Sequence, residues 1–178
     1  MAKISTDIAS DLDITARRRD TFQLELDVKQ TNADGTVATT TLDMTGTQSG
    51  GTTAQQTKYQ AKMSIADSNS GDIRLTVTDP YYGEIAHTIS NNTPPTATAA
   101  GIYTGLGAAS GGIDLTATSA DAGKVKITIP ASYMVLEPGT YIYDLQIRYK
   151  ANATDTAVIT TWLAGNFIIN ADVTEGTT

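Results

Sequence analysis

Tyr141-Ile142-Tyr143-Asp144-Leu145-Gln146-Ile147-Arg148-Tyr149 sets Tyr, Tyr, Leu, Ile and Tyr on one face of an extended chain and Ile, Asp, Gln and Arg on the other. A period of two sends successive side chains to opposite sides of a strand, so this stretch reads as a β-strand with one buried and one solvated face. Pro138-Gly139 stand just before it and turn the chain into it. Downstream, Val158 to Leu163 and Phe167 to Ile169 are two further strand segments separated by Gly165. Together they predict a meander with a long central strand.

Working outward, the same alternation recurs. Val125, Ile127 and Ile129 form an apolar stripe that stops at Pro130, which has no amide to give to a ladder. Ile73, Leu75 and Val77 form another, after a turn at Ser68-Asn69-Ser70-Gly71, and Tyr59, Ala61, Met63 and Ile65 a third. Phe22, Leu24, Leu26 and Val28 alternate with Gln23, Glu25 and Asp27. Asn32-Ala33-Asp34-Gly35 follows, where Asp-Gly supplies the positive φ of a tight turn. Residues 84–89 are a weaker strand signal. Helical spacing is nearly absent; only 131–136, between Pro130 and Pro138, suggest a single helical turn.

The composition agrees. Of 178 residues, 40% are hydrophobic and only 17% charged, which predicts a packed core beneath a largely uncharged polar surface. Thr is the commonest residue, and its branched Cβ suits a pleated surface. The formal net charge of -7 disfavours binding to phosphate backbones, so no nucleic-acid partner is expected. With no cysteine in the chain, disulfides, thiolate metal sites and Cys nucleophiles are excluded, as suits folding in a reducing cytosol. The first residues lack the apolar stretch of a secretion signal, and no apolar run approaches the roughly 18 residues of a membrane span.

Residues 90–112 break the rhythm. They are Asn, Thr, Pro, Ala and Gly, with Ile102, Tyr103 and Leu106 as the large apolar groups. Free loops of this length are uncommon inside compact domains. The stretch 46–57 is shorter, Gly-rich and polar. The organisation expected is an N-terminal arm (1–13), a single domain (14–174) carrying 90–112 as a long loop or insertion, and a short tail (175–178).

Residues able to do chemistry are sparse. His87 is the single histidine, which leaves no triad and no His-rich metal site. Gly101-Ile102-Tyr103-Thr104-Gly105-Leu106-Gly107 lacks the preceding strand, following helix and Lys-Thr of a phosphate loop. Asp67-Ser68-Asn69-Ser70-Gly71-Asp72 begins like a calcium loop, but its Gly comes one place early and position twelve is Thr78 instead of Glu, so a turn is expected. Asp11 and Asp13 are spaced like an acidic strand face. Trp162 is expected in the core. Asn91-Asn92-Thr93 and Asn152-Ala153-Thr154 match glycosylation acceptors by chance. No catalytic, cofactor-binding or metal-binding residue is assigned, and no enzymatic activity is expected.

Three pieces carry a resemblance: Arg17-Arg18-Arg19-Asp20-Thr21-Phe22 with Leu42-Asp43-Met44-Thr45-Gly46; then Leu136-Glu137-Pro138-Gly139-Thr140-Tyr141-Ile142-Tyr143-Asp144-Leu145-Gln146; and Leu163-Ala164-Gly165-Asn166-Phe167-Ile168-Ile169 leading to Asp172-Val173-Thr174. In this order they resemble small immunoglobulin-like modules of tailed-bacteriophage virion proteins, including N-terminal domains of baseplate upper proteins and short structural proteins of marine and cyanobacterial phages. Arg19 stands where that pattern has Gly, Met44 where it has Leu, and about 50–123 are unmatched. The resemblance implies an all-β, antiparallel immunoglobulin-like β-sandwich with one long Gly/Ala/Thr/Pro-rich excursion. Tyr141, Tyr143, Asp144, Gly165 and Phe167 would be its motif core.

It also implies a virion structural protein, assembled in the host cytoplasm and working by docking. A lone domain without a coiled-coil extension favours capsid decoration; baseplate or tail-fibre attachment is the alternative. A carbohydrate-binding sandwich is an alternative of another class, with Tyr81, Tyr82 and Tyr103 as candidate loop aromatics. Partners would be other virion proteins, either the major capsid protein or baseplate and tail subunits, and a homo-oligomer within the assembly is expected. The expected partner-binding residues are Ile4, Ile8 and Leu12 in the arm, Ile102, Tyr103 and Leu106 in the excursion, and the basic run Arg17, Arg18 and Arg19. That run is either a strand entry with an internal acidic partner, Asp144 among the candidates, or a patch for an acidic neighbour. Arm and excursion are both expected to lie outside the sandwich.

Overall fold

The computed structural model describes residues 10–31, 34–42, 44, 58–79, 112–115 and 123–172. Over these residues the chain is all-β, without a helix. Its strands are β1 (Ser10–Asp11), β2 (Ile14–Arg17), β3 (Phe22–Asp27), β4 (Lys29–Thr31), β5 (Val37–Thr41), β6 (Tyr59–Asp67), β7 (Ile73–Thr78), β8 (Gly112–Asp114), β9 (Lys124–Ile129), β10 (Gly139–Tyr149) and β11 (Val158–Asn170). Residues 1–9, 32–33, 43, 45–57, 80–111, 116–122 and 173–178 lie outside this description. The expected strand at 84–89, the excursion and the tail fall there.

The strands form a six-stranded sheet in the order β1-β11-β10-β6-β7 with β2 also on β11, a three-stranded sheet β3-β9-β8, and a β4-β5 pair. β10 is central, paired antiparallel with β6 over its length on one side and with β11 on the other. Tyr143, Leu145 and Ile147 face inward from it and are buried, as the alternation requires. Val125, Ile127 and Ile129 of β9 and Met63, Ile65, Leu75 and Val77 of β6 and β7 are fully buried. The two larger sheets supply one common core. Phe22 of β3 meets Phe167 of β11 edge-to-face at 5.4 Å, joining them directly.

Several expectations change. The sheets are mixed instead of purely antiparallel, because β1 and β2 run parallel to β11. The segments on either side of Gly165 are one strand, and the ladder with β10 skips Trp162, which sits as the extra residue of a bulge. Gly165 interrupts the run of large apolar side chains, which is why the two halves read as separate strands in the sequence. Trp162 is partly buried against the core. The expected single turn near 131–136 is present at its start, where the Tyr133 and Met134 amides donate to the Pro130 carbonyl at 2.9 and 3.2 Å, and it does not continue into a helix. The turns at Gly35 (φ 84°) and Gly71 (φ 74°) stand where the Asp-Gly and Ser-Gly signals put them.

The boundary at residue 13 also moves. Residues 10–13 belong to the main sheet, since Ser10 and Asp11 pair with Leu163 and Ala164. An exposed edge of β11 would leave its outward amides and carbonyls without ladder partners, and the N-terminal strands occupy that edge.

Candidate functional site

Three of the residues that carry the resemblance, Tyr143, Gly165 and Phe167, converge where the N-terminal segment runs alongside β11. Between β1 and β2 the ladder opens, and Leu12 and Asp13 stand opposite Gly165 and Asn166. The Leu12 amide donates to the Ala164 carbonyl at 3.1 Å. The Leu12 carbonyl accepts from the phenol of Tyr143 at 2.7 Å. One carboxylate oxygen of Asp13 accepts from both the backbone amide and the side-chain amide of Asn166, each at 3.0 Å. The result is a latch that joins three distant segments.

Gly165 makes the latch possible. A Cβ at this position would lie 2.6 Å from the Leu12 carbonyl oxygen and 3.3 Å from the Asp13 carboxylate. Glycine inside a strand marks such a close backbone approach. Next to this contact, the rings of Tyr143 and Phe167 pack edge-to-face at 6.2 Å. Burial pushes the Tyr143 phenol above its ordinary pKa, and the carboxylates of Asp13 and Asp11 push it the same way. Neither aspartate was singled out in the sequence as a partner of Asn166 or a neighbour of Tyr143; their only signal was the alternate spacing.

Tyr141 works two residues earlier. Its hydroxyl donates to the Glu137 carbonyl at 2.8 Å, pinning the Pro138-Gly139 turn to the strand it feeds. Burial raises its pKa, and the Asp67 carboxylate adds to the rise. Asp144 points to the opposite face, where its carboxylate accepts from Gln146 at 2.7 Å. The Arg17–Arg19 run therefore does not serve Asp144. Arg18 pairs instead with Glu137 at 2.9 Å, while the side chains of Arg17 and Arg19 are exposed. Arg19 has φ 63°, the left-handed conformation that the resembling pattern assigns to Gly.

Of the residues expected to bind partners, Leu12 is half-exposed at its side chain (38%) although its backbone is engaged. Ile4, Ile8, Ile102, Tyr103 and Leu106 lie outside the described residues, as do His87, Tyr81 and Tyr82. The structure therefore brings together Leu12, Tyr143, Gly165 and Phe167, with Arg17–Arg19 at the end of the same strand. The 67–72 segment is a hairpin turn in which the Asp67 carboxylate accepts from the Asn69 and Ser70 amides. Those two bonds, with Arg74 nearby, hold the Asp67 carboxyl below its usual range. Among the described residues no group of three or more His, Cys, Asp or Glu side chains could hold a metal ion, and no helix is long and apolar enough to cross a membrane. Comparison with protein-family models, with curated proteins and with solved structures returns no match.

Proposed function

We propose that the chain is a non-enzymatic structural protein of a tailed-phage virion, an immunoglobulin-like sandwich that docks on the capsid surface as a decoration or stabilising protein. One observation carries this reading. Of the motif residues behind the resemblance, Tyr143, Gly165 and Phe167 pack or contact backbone where the N-terminal segment meets the last strand, and Tyr141 bonds the turn that leads into β10. A motif built this way serves a rigid module with anchored ends. A catalytic motif would have to present an acid, base or nucleophile to a substrate.

The strand order supports the immunoglobulin-like assignment. The main sheet runs from the N-terminal strands through the last, the penultimate and two middle strands, and the facing sheet is β3-β9-β8. This matches a G-F-C sheet extended by a further strand and opposed to a B-E-D sheet. Tyr141 adds a corner of the kind those domains carry at the start of strand F, its hydroxyl bonded to backbone a few residues upstream. Contact surface is available at Ile142, Val158 and Ile159, which are 44%, 58% and 57% exposed, and at the exposed Arg17 and Arg19.

Immunogold labelling of intact particles with an antibody to this chain tests the proposal. Gold over the heads supports decoration. Gold at the tail or baseplate replaces it with the attachment reading, and absence of the chain from purified particles overturns the virion reading altogether.

A further inference from the structure

We propose that residues 10–17 form an exchangeable strap, able to leave its own β11 and dock in the same place on a second copy of this chain, giving a reciprocal, two-fold dimer. The inference stands on the latch and its hinge, and does not depend on the virion reading.

The strap is held almost wholly by groups that any copy of the chain presents. Its partners are the β11 backbone, the Tyr143 phenol, Asn166 and the recess at Gly165. Ile14 is its one buried large side chain. Exchange replaces each of these contacts with an identical one from the neighbour, so the strap itself favours neither form. The balance is then set by concentration and by the hinge.

The hinge is residues 17–20, a short turn closed by a 3.3 Å bond from the Asp20 amide to the Arg17 carbonyl. Two features work against this closed form. Arg19 occupies the left-handed region at φ 63°, unfavourable for a residue with a Cβ. The Nε of Arg18 is buried without a hydrogen-bond partner among the described residues. Extending the hinge in the exchanged form lets Arg19 return to an extended conformation and hydrates Arg18. Holding the hinge closed are the Arg18 amide on the Asn170 carbonyl of β11 at 3.0 Å, a bond that a second copy's β11 can equally accept, the Arg19 amide on the Met134 carbonyl at 2.7 Å and an Arg18–Glu137 pair whose Glu side chain is 75% exposed. Short hinges under strain are those that invite exchange.

The absence of native cysteine makes the test clean. Asp11 and Ala164 are cross-strand partners, at a separation typical of paired strands and within disulfide reach. The full chain carrying Asp11→Cys and Ala164→Cys is refolded at high concentration under reducing conditions, its monomer and dimer fractions are separated, and each is oxidised and run on a non-reducing gel. Covalent dimers from the dimer fraction, with internally closed monomers from the monomer fraction, are expected. A dimer fraction that yields only internally closed monomers is a surface dimer and overturns the proposal, as does the absence of any dimer at millimolar concentration. Should the cysteine pair prevent folding, the Arg19→Gly chain is compared with the parent by light scattering. Its dimer association constant is expected to fall about tenfold, because glycine removes the hinge strain that two copies would otherwise shed. An unchanged constant overturns the proposal.

Discussion

The hydroxyl of Tyr143 donates to the carbonyl of Leu12 at 2.7 Å, across 131 positions of sequence. That bond connects the middle of the central strand to the segment entering from the N-terminus, over the top of Gly165. It turns a sheet edge into an interior position.

Removing the hydroxyl alone, by Tyr143→Phe, should cost about 1 kcal/mol, the net worth of one such bond. Tyr143→Ala should cost about 3–5 kcal/mol, because the ring is buried against Phe167. Denaturant unfolding measures both. Equal effects from the two substitutions would mean that the ring contributes nothing beyond its hydroxyl.

Gly165→Ala places a methyl 2.6 Å from the Leu12 carbonyl oxygen, a backbone atom that can give way only if the strap moves. A loss of about 2–3 kcal/mol is expected, at the upper end for overpacking. Amide exchange should show faster opening at Leu12 and Asn166 while the β6–β10 ladder keeps its protection.

At Arg19 the expected sign is reversed. Glycine relieves a left-handed conformation worth about 1–2 kcal/mol and returns about half of that as greater freedom in the unfolded chain. Arg19→Gly should therefore stabilise the monomer by about 0.5–1 kcal/mol. A lower unfolding midpoint would show that the Arg19 side chain contributes contacts outweighing its backbone strain.

Deleting residues 1–13 removes β1 together with the Leu12 and Asp13 bonds to Ala164, Tyr143 and Asn166. On the arm reading of the sequence this truncation would be silent in the free domain. With those four bonds in the sheet, a loss of about 4 kcal/mol is expected at roughly 1 kcal/mol for each bond. Calorimetry of the truncated chain decides between the two.

Alkaline pH should loosen the latch. The folded-state pKa values of Tyr143 and Tyr141 lie above the ordinary phenol value of 10.0. The folded form therefore holds those protons more tightly than the unfolded chain does. The stability this supplies is fully present below about pH 10 and is lost as pH rises through the folded-state values. Unfolding midpoints at pH 8 and pH 11 should differ, and by less in Tyr143→Phe. An unaltered difference in that variant would remove Tyr143 from the effect.

The sequence by itself determined the local layer of this protein. Alternation placed β3, β6, β7, β9 and β10, since burial of one strand face is written in every second residue. Turn chemistry placed Gly35 and Gly71, because only a residue without a Cβ takes positive φ freely. The resemblance, separately, implied a motif at Tyr143, Gly165 and Phe167, with Arg at position 19 where its pattern has Gly. What the motif is for was decided only by tertiary structure. The parallel pairing of β1 and β2 with β11, the continuity of β11 through its Trp162 bulge, and the choice of Glu137 over Asp144 by Arg18 each join residues far apart in the chain. Period-two patterns record which face of a strand is buried and are blind to which strand lies beside it. Partner choice depends on backbone hydrogen bonds that every residue but proline can make equally well, so the neighbour of β11 was settled by the space Gly165 leaves and the phenol that reaches across it.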